Sequence, residues 1–355
     1  MKYAATAAMV STMLAVPSVL LQDHVVAGAS VSRATKPRAL PVHRIPTSSG
    51  TLISGGPSRK TCIYTGGDFL PRLANAEAQT RTTPSCVMAF LNGAQTWAQW
   101  EDPWVTAAQY GYTTWVAAEP QSRQLIVDVN LIPNSLENQS DPTGWEKSCA
   151  AGQFNTYAQQ LGTNLVAAGL QNTVIRLGAE MNGPWEADFI GTTTVEQNMW
   201  ASCFANEVTG LRQAAGEHFL IVWNPNACVE NVPYMNYYPG NAYVNIVGLD
   251  LYDGTCTAPS TSTTPITWNQ LADEPGGLIS FEAFAAAQRK PMSFPEWGLL
   301  HDPNGDDAAY INGMGQTFAT GNFAFETYYD TGGVNTLKVG PATPLSLVAF
   351  RKWFG

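Results

Sequence analysis

Eight short runs of apolar and β-branched residues constrain the fold of this 355-residue chain more than any other feature. They fall at 61–64, 86–91, 124–131, 173–178, 218–223, 244–251, 291–294 and 322–327. Between many of them lie stretches with helical spacing. The clearest is 151–169, where Phe154, Tyr157, Ala158, Leu161 and Leu165 share one face and Gly169 supplies a stop signal. Others cover 195–214, 280–289 and 306–319, with 345–354 as a closing helix. Strands that alternate with helices run parallel, because each crossover returns the chain to the same end of the sheet. Eight of them suggest closure, so the expected class is α/β: a single-domain (β/α)8 TIM barrel over 59–355. At 45% hydrophobic and 13% charged residues, the chain can bury such a core.

The segment ahead of the barrel reads differently. Lys2 precedes a small and apolar run, Ala4 to Leu21, and Ala27-Gly28-Ala29 offers a cleavage site. Residues 1–29 are therefore expected to be a secretory signal peptide. Pro17, Asp23 and His24 argue against a retained anchor. Residues 30–58, rich in Ser, Pro and Gly, read as a flexible leader or linker. The protein is expected to be secreted or held at the cell envelope, off the membrane after cleavage, and monomeric. Six cysteines in an exported chain favour disulfides, and sequential pairing (Cys62–Cys86, Cys149–Cys203, Cys228–Cys256) ties neighbouring barrel elements.

Composition removes several function classes. The net charge is −10 with no Lys/Arg-rich run, which leaves no electrostatic footprint for nucleic acid. The four His form neither H-x-H nor H-x-x-x-H, and no C-x-x-C occurs, so no metal centre is expected and no cofactor is implied. The nucleophile elbow G-x-S-x-G is missing too.

What remains is a pair of carboxylates. In VIRLGAEMNGPW (174–185), alternation puts Arg176, Gly178 and Glu180 on one face, with Glu180 at the C-terminal mouth of strand four. In PMSFPEWG (291–298), the same rule turns Met292, Phe294 and Glu296 inward, with Glu296 ending strand seven and Trp297 opening the loop. Barrel enzymes keep their reacting groups at such strand ends. A retaining glycosidase needs one protonated acid to assist the leaving oxygen and one carboxylate to attack the anomeric carbon. Arg176 either keeps Glu296 ionised or is a structural buried cation. Tyr252, sharing a face with Gly248 and Asp250, either donates its hydroxyl to Glu296 or is a rim aromatic. Asn182 and Trp185 follow Glu180, and Trp223 and Asn226 sit near the mouth after strand five. Asp68, Asn92, Asp128 and Asn130 either bind hydroxyls or form a polar layer. Trp97, Trp100 and Trp104 either line a cleft or pack beneath a loop.

Taken together, AEMNGPW (179–185), VWNPN (222–226), YYPGNAYVNIVGLDLYDG (237–254) and PEWG (295–298) resemble glycoside hydrolase family 26, which includes β-mannanases. The resemblance covers the second half of the barrel. It implies a retaining hydrolase of a β-linked polysaccharide such as mannan, with Glu180 as acid/base and Glu296 as nucleophile. It also implies substrate contacts from Trp185 and Trp223 and support from Tyr252. Three departures stand out: Ala179 where the family usually has His, Pro295 where a small residue is usual, and Glu186 where an aromatic is common. Glu186 then reads as a rim or substrate-binding carboxyl. The competing reading is a non-catalytic carbohydrate-binding barrel, against which the two opposed carboxyls argue.

Overall fold

A computed structural model describes residues 60–137, 144–228, 234–253, 267–299, 305–331, 337 and 343–355. The chain divides into Met1–Arg44 and Ile45–Gly355, and all described residues belong to the second unit. The segments read as signal peptide (1–29) and linker (30–58) lie outside the described residues.

Among the described residues nine strands form one parallel sheet: β1 Lys60–Tyr64, β2 Cys86–Phe90, β3 Gln124–Val129, β4 Val174–Leu177, β5 Leu220–Trp223, β6 Ile246–Gly248, β7 Leu251–Tyr252, β8 Met292–Gly298 and β9 Phe323–Tyr329. Their order is β6-β5-β4-β3-β2-β1-β9-β8-β7, and a further β6–β8 pairing closes the ring. Strands β6 and β7 occupy one barrel position. They are interrupted at Leu249–Asp250, where Asp250 bridges to Asn226. The barrel is thus eight-stranded, a (β/α)8 fold, as the sequence led us to expect.

Two apolar layers follow from strand alternation. Val87, Ala89, Leu125, Val127, Ile175 and Leu177 face outward and meet helical residues such as Leu161, Leu165 and Phe204. Cys62, Cys86, Met88, Ile126, Val174, Val222 and Phe325 fill the interior. The helix Thr194–Leu211 opens on a capping box, with Thr193 and Glu196 each satisfying the other's backbone N–H. Disulfide Cys62–Cys86 links β1 to β2, and Cys149–Cys203 links helix Gly144–Ala150 to helix Thr194–Leu211. Cys228 is disulfide-bonded as well; Cys256 lies outside the described residues. Among the described residues no helix is long and apolar enough to cross a membrane.

Alternation fails on β8. Met292 and Phe294 pack outward, Phe294 stacked on Phe323. Between Phe294 and Trp297 the register against β9 slips by one residue, a β-bulge. Glu296 reaches the interior because of that extra residue, not by the strand parity expected from the sequence. Pro295 sits in the bulge, where a missing N–H is tolerated. Gly248 makes room for it, since a Cβ there would lie 2.5 Å from Pro295 Cγ.

Gly178 ends β4 with φ +55°, and a Cβ would meet Trp200 at 2.7 Å. Gly178→Ala combines a left-handed backbone with overpacking. It is expected to cost about 2 kcal/mol or more, lowering the thermal midpoint by at least ~4 °C, as calorimetry can measure.

Candidate active site

The C-terminal mouth of the barrel gathers its polar groups around one cation. Arg176 projects from β4 into the interior and has no solvent exposure. Its Nε donates to Asn224 Oδ1 at 2.7 Å, Nη2 to Asp250 Oδ2 at 2.7 Å, and Nη1 to Glu296 Oε1 at 2.7 Å. Nη1 also lies 3.3 Å from Asp128 Oδ2. One guanidinium therefore faces carboxylates from β3, β8 and the β6–β7 junction. The planar fork of arginine suits this task, and the ammonium of lysine would not span it.

Glu296 is held from several sides. Oε1 accepts from Arg176, Oε2 accepts from the Tyr252 hydroxyl at 2.9 Å, and its backbone N–H donates to Asp250 Oδ1 at 2.8 Å. Both carboxylate oxygens are engaged by donors, which fixes the orientation of the group.

Glu180 sits opposite, partly exposed, with φ +51°, a left-handed conformation uncommon for a residue with a side chain. Local bonds hold it: its N–H donates to Asn224 O at 2.7 Å, and its carbonyl accepts from Gly183 N at 2.7 Å. The side chain accepts from Asn226 Nδ2 at 2.5 Å on Oε1 and from Trp185 Nε1 at 2.7 Å on Oε2. Burial and then the charge of Glu296 push its carboxyl above the usual range. Oxygens of Glu180, Glu296 and Asp250 all lie within 4.8 Å of one another. One carboxylate clamped by a cation beside a second biased toward its proton can combine nucleophilic attack with proton donation.

The other expected residues separate into three groups. Asn182 is fully buried and acts on the backbone: its amide donates to Asn226 O and accepts from Asn226 N, both at 2.8 Å, which fixes the Asn226 side chain at Glu180. Trp185 is 57% exposed at the mouth. Trp223 and Trp297, by contrast, are not at the mouth. Trp223 is fully buried among Tyr234, Tyr238, Phe281 and Phe284, on the side of β5 that faces the helices. Trp297 is fully buried against Phe350, Phe354 and Tyr328 and donates to the Glu326 carboxylate. Each follows an inward-facing residue on its strand, so each points out. Trp97 stacks on Tyr157, and the Trp100 indole donates to Asn130 O, so these two pack beneath a loop. Asp128 joins the Arg176 cluster, while Asp68 lies exposed just before the helix Phe69–Thr80.

An aromatic group at the mouth was not foreseen. Tyr64, Phe90 and Tyr329 end β1, β2 and β9, with ring centroids 4.7–6.0 Å apart. Phe90 lies 5.9 Å from the Arg176 guanidinium, and Tyr64 and Tyr329 both feel the charge of Glu296. The usable signal was an aromatic closing each of three strands. Glu186, partly exposed, is pushed up to about 9 by burial and then by Asp128, Asp188, Glu180 and Glu296.

Comparisons with known proteins come from the sequence and from the fold. Residues 140–271 match the model of glycosyl hydrolase family 26. No curated protein sequence matches the chain. Among solved structures, the YdhT protein of Bacillus subtilis superposes with TM-score 0.56 at 17% identity, covering 81% of this chain and 83% of its own. A family 26 β-mannanase from Bacteroides ovatus gives 0.57 at 13%, covering 83% and 87%. A modular endo-β-1,4-mannanase from Cellulomonas fimi gives 0.57 at 15%, covering 83% and 70%.

Replacing Arg176 with Met leaves Asp128, Asp250 and Glu296 buried without their cation, at a cost of about 3–5 kcal/mol near neutral pH. The sign with pH follows from the carboxyls. Asp128, already raised to about 7 mainly by burial, loses the one charge that lowers it, so its folded pKa moves further above its unfolded value. The resulting destabilisation grows as pH rises above the unfolded carboxylate range and shrinks as pH falls back toward it. Urea melts should therefore show a smaller deficit for Arg176→Met at pH 5 than at pH 7.5.

Proposed function

We propose that this chain, which belongs to glycosyl hydrolase family 26 through residues 140–271 and is an O-glycosyl hydrolase, cleaves a β-linked polysaccharide by double displacement, with net retention. β-Mannan is the first substrate to try, because the solved relatives from Bacteroides ovatus and Cellulomonas fimi are β-mannanases. The observation that carries the reading is the approach of Glu180 and Glu296, whose oxygens come within 4.8 Å. That leaves room for a sugar carbon between them but none for the extra water an inverting pair must hold.

In the first step the ionised Glu296 attacks the anomeric carbon while Glu180 passes its proton to the glycosidic oxygen, and the C–O bond breaks. Arg176 and Tyr252 hold Glu296 aimed. In the second step Glu180, now a carboxylate, takes a proton from water, and the water oxygen displaces Glu296 from the same carbon. Tyr64, Phe90 and Tyr329 offer ring faces, and the two tyrosines hydroxyls, to the sugar that becomes attached. The exposed ring of Trp185 offers a face to the departing portion. Disulfides Cys62–Cys86 and Cys149–Cys203 support an exported enzyme with 1–29 as its removed leader; endo action as a monomer completes the proposal.

Glu296→Ala should reduce turnover of the preferred polysaccharide by roughly 10³-fold or more while preserving the circular dichroism spectrum. Proton NMR of the first-formed reducing end should show the anomer of the cleaved linkage. A full-activity Glu296→Ala protein, or an inverted first product, refutes the assignment.

A further inference from the structure

We propose that the indole N–H of Trp185 is a positioning and tuning donor for Glu180, so that Trp185 acts through its nitrogen and not only through its ring face. The proposal rests on Glu180 being the acid/base and goes beyond it by assigning how the proton-bearing state is set.

Three observations carry it. Trp185 Nε1 donates to Glu180 Oε2 at 2.7 Å although the ring is 57% exposed, an unusual place for a short, charge-assisted contact. The loop is shaped for that contact: Gly183 N–H is tied to Glu180 O, and the indole folds back over Gly183 so closely that a Cβ there would lie 2.3 Å from Trp185 Cε2. Asn226 occupies Oε1, so both oxygens of Glu180 accept from groups that only donate.

Such an arrangement holds the carboxylate form, because a protonated oxygen is a poor acceptor. Opposing it are burial and the charge of Glu296 across the site. The other groups that feel Glu180 are Arg176 from β4, Asp128 from β3, Asp250 and Tyr252 around β7, Tyr329 from β9, and Glu186 beside Trp185. The two demands on Glu180 are then met in turn. While Glu296 is charged, repulsion favours the proton that Glu180 must donate. Once Glu296 is esterified its charge is gone, and the Trp185 and Asn226 donors favour the carboxylate that must accept a proton from water. Trp185 adjusts the balance from an exposed position.

Trp185→Phe keeps a flat ring and removes the donor. Gly183→Ala keeps the indole and denies it its seat. In the full-length protein with soluble β-mannan or whichever glycan it cleaves, both variants should move the alkaline limb of kcat/KM upward by about one pH unit. The acid limb should stay in place. An alkaline limb unmoved in both variants, with only KM raised, overturns the proposal and leaves Trp185 a stacking surface. Glu180→Ala serves as the separating control: wild-type turnover in that variant overturns the acid/base reading itself, whereas its loss alongside unmoved limbs in the other two overturns the Trp185 role alone.

Discussion

The guanidinium of Arg176 is the interaction on which the rest of the site depends. A charge with no solvent exposure cannot be stabilised by water, so it must be answered by its neighbours. Asp250 and Glu296 each meet it at 2.7 Å, Asp128 at 3.3 Å, and Asn224 takes its remaining Nε–H at 2.7 Å. These partners come from four barrel positions, so one side chain ties the mouth together across the interior. The carboxylates outnumber the cation. Burial and then the charge of Glu296 bias the Glu180 carboxyl toward its proton, while Glu296 is bonded directly to the cation.

Backbone conformation completes what charge begins. The chain leaves β4 through two left-handed residues, Gly178 and Glu180, with Ala179 between them. Gly178 adopts this freely, but Glu180 does so at a cost of order 1 kcal/mol or more. That cost is offset by the bonds to Asn224 O and from Gly183 N. The turn carries the Glu180 carboxyl to Asn226 and Trp185 and holds it within reach of Glu296. On the other side, the bulge at Pro295 performs the same service for Glu296. Each glutamate is delivered by a local departure from strand geometry, so neither position follows from alternation alone.

This explains what the sequence disclosed and what it did not. The eight barrel strands and the long helices were legible because their periods are set by burial, and Ile175 and Leu177 pack outward as alternation requires. Parity also placed Arg176 correctly, since β4 is regular through Leu177. It failed on β8, where Met292 and Phe294 turned out to face the helices. Pro295 was the available warning, because a proline inside a closed barrel has no ladder partner to give and implies a bulge. Trp223 and Trp297 were misplaced for a related reason: a motif resemblance marks where a tryptophan stands in the chain, while burial decides which way it points. Tyr64, Phe90 and Tyr329 went unseen because three weakly similar strand ends make a wall only once the barrel closes.

A division of labour follows. The groups suited to bond cleavage (Arg176, Asp250, Tyr252, Glu296) stand on or between the paired strands β4, β6, β7 and β8. Those that can distinguish one glycan from another stand in loops, where Trp185 and Glu186 lie at the surface of the mouth. Ala179, almost wholly buried, offers no polar group where the family usually carries His. The carboxyl of Glu186 is pushed up to about 9, chiefly by burial. On the proposed reading, the strand-borne groups would break the bond, and the loop after β4, with Trp185 and Glu186 at its surface, would select the sugar.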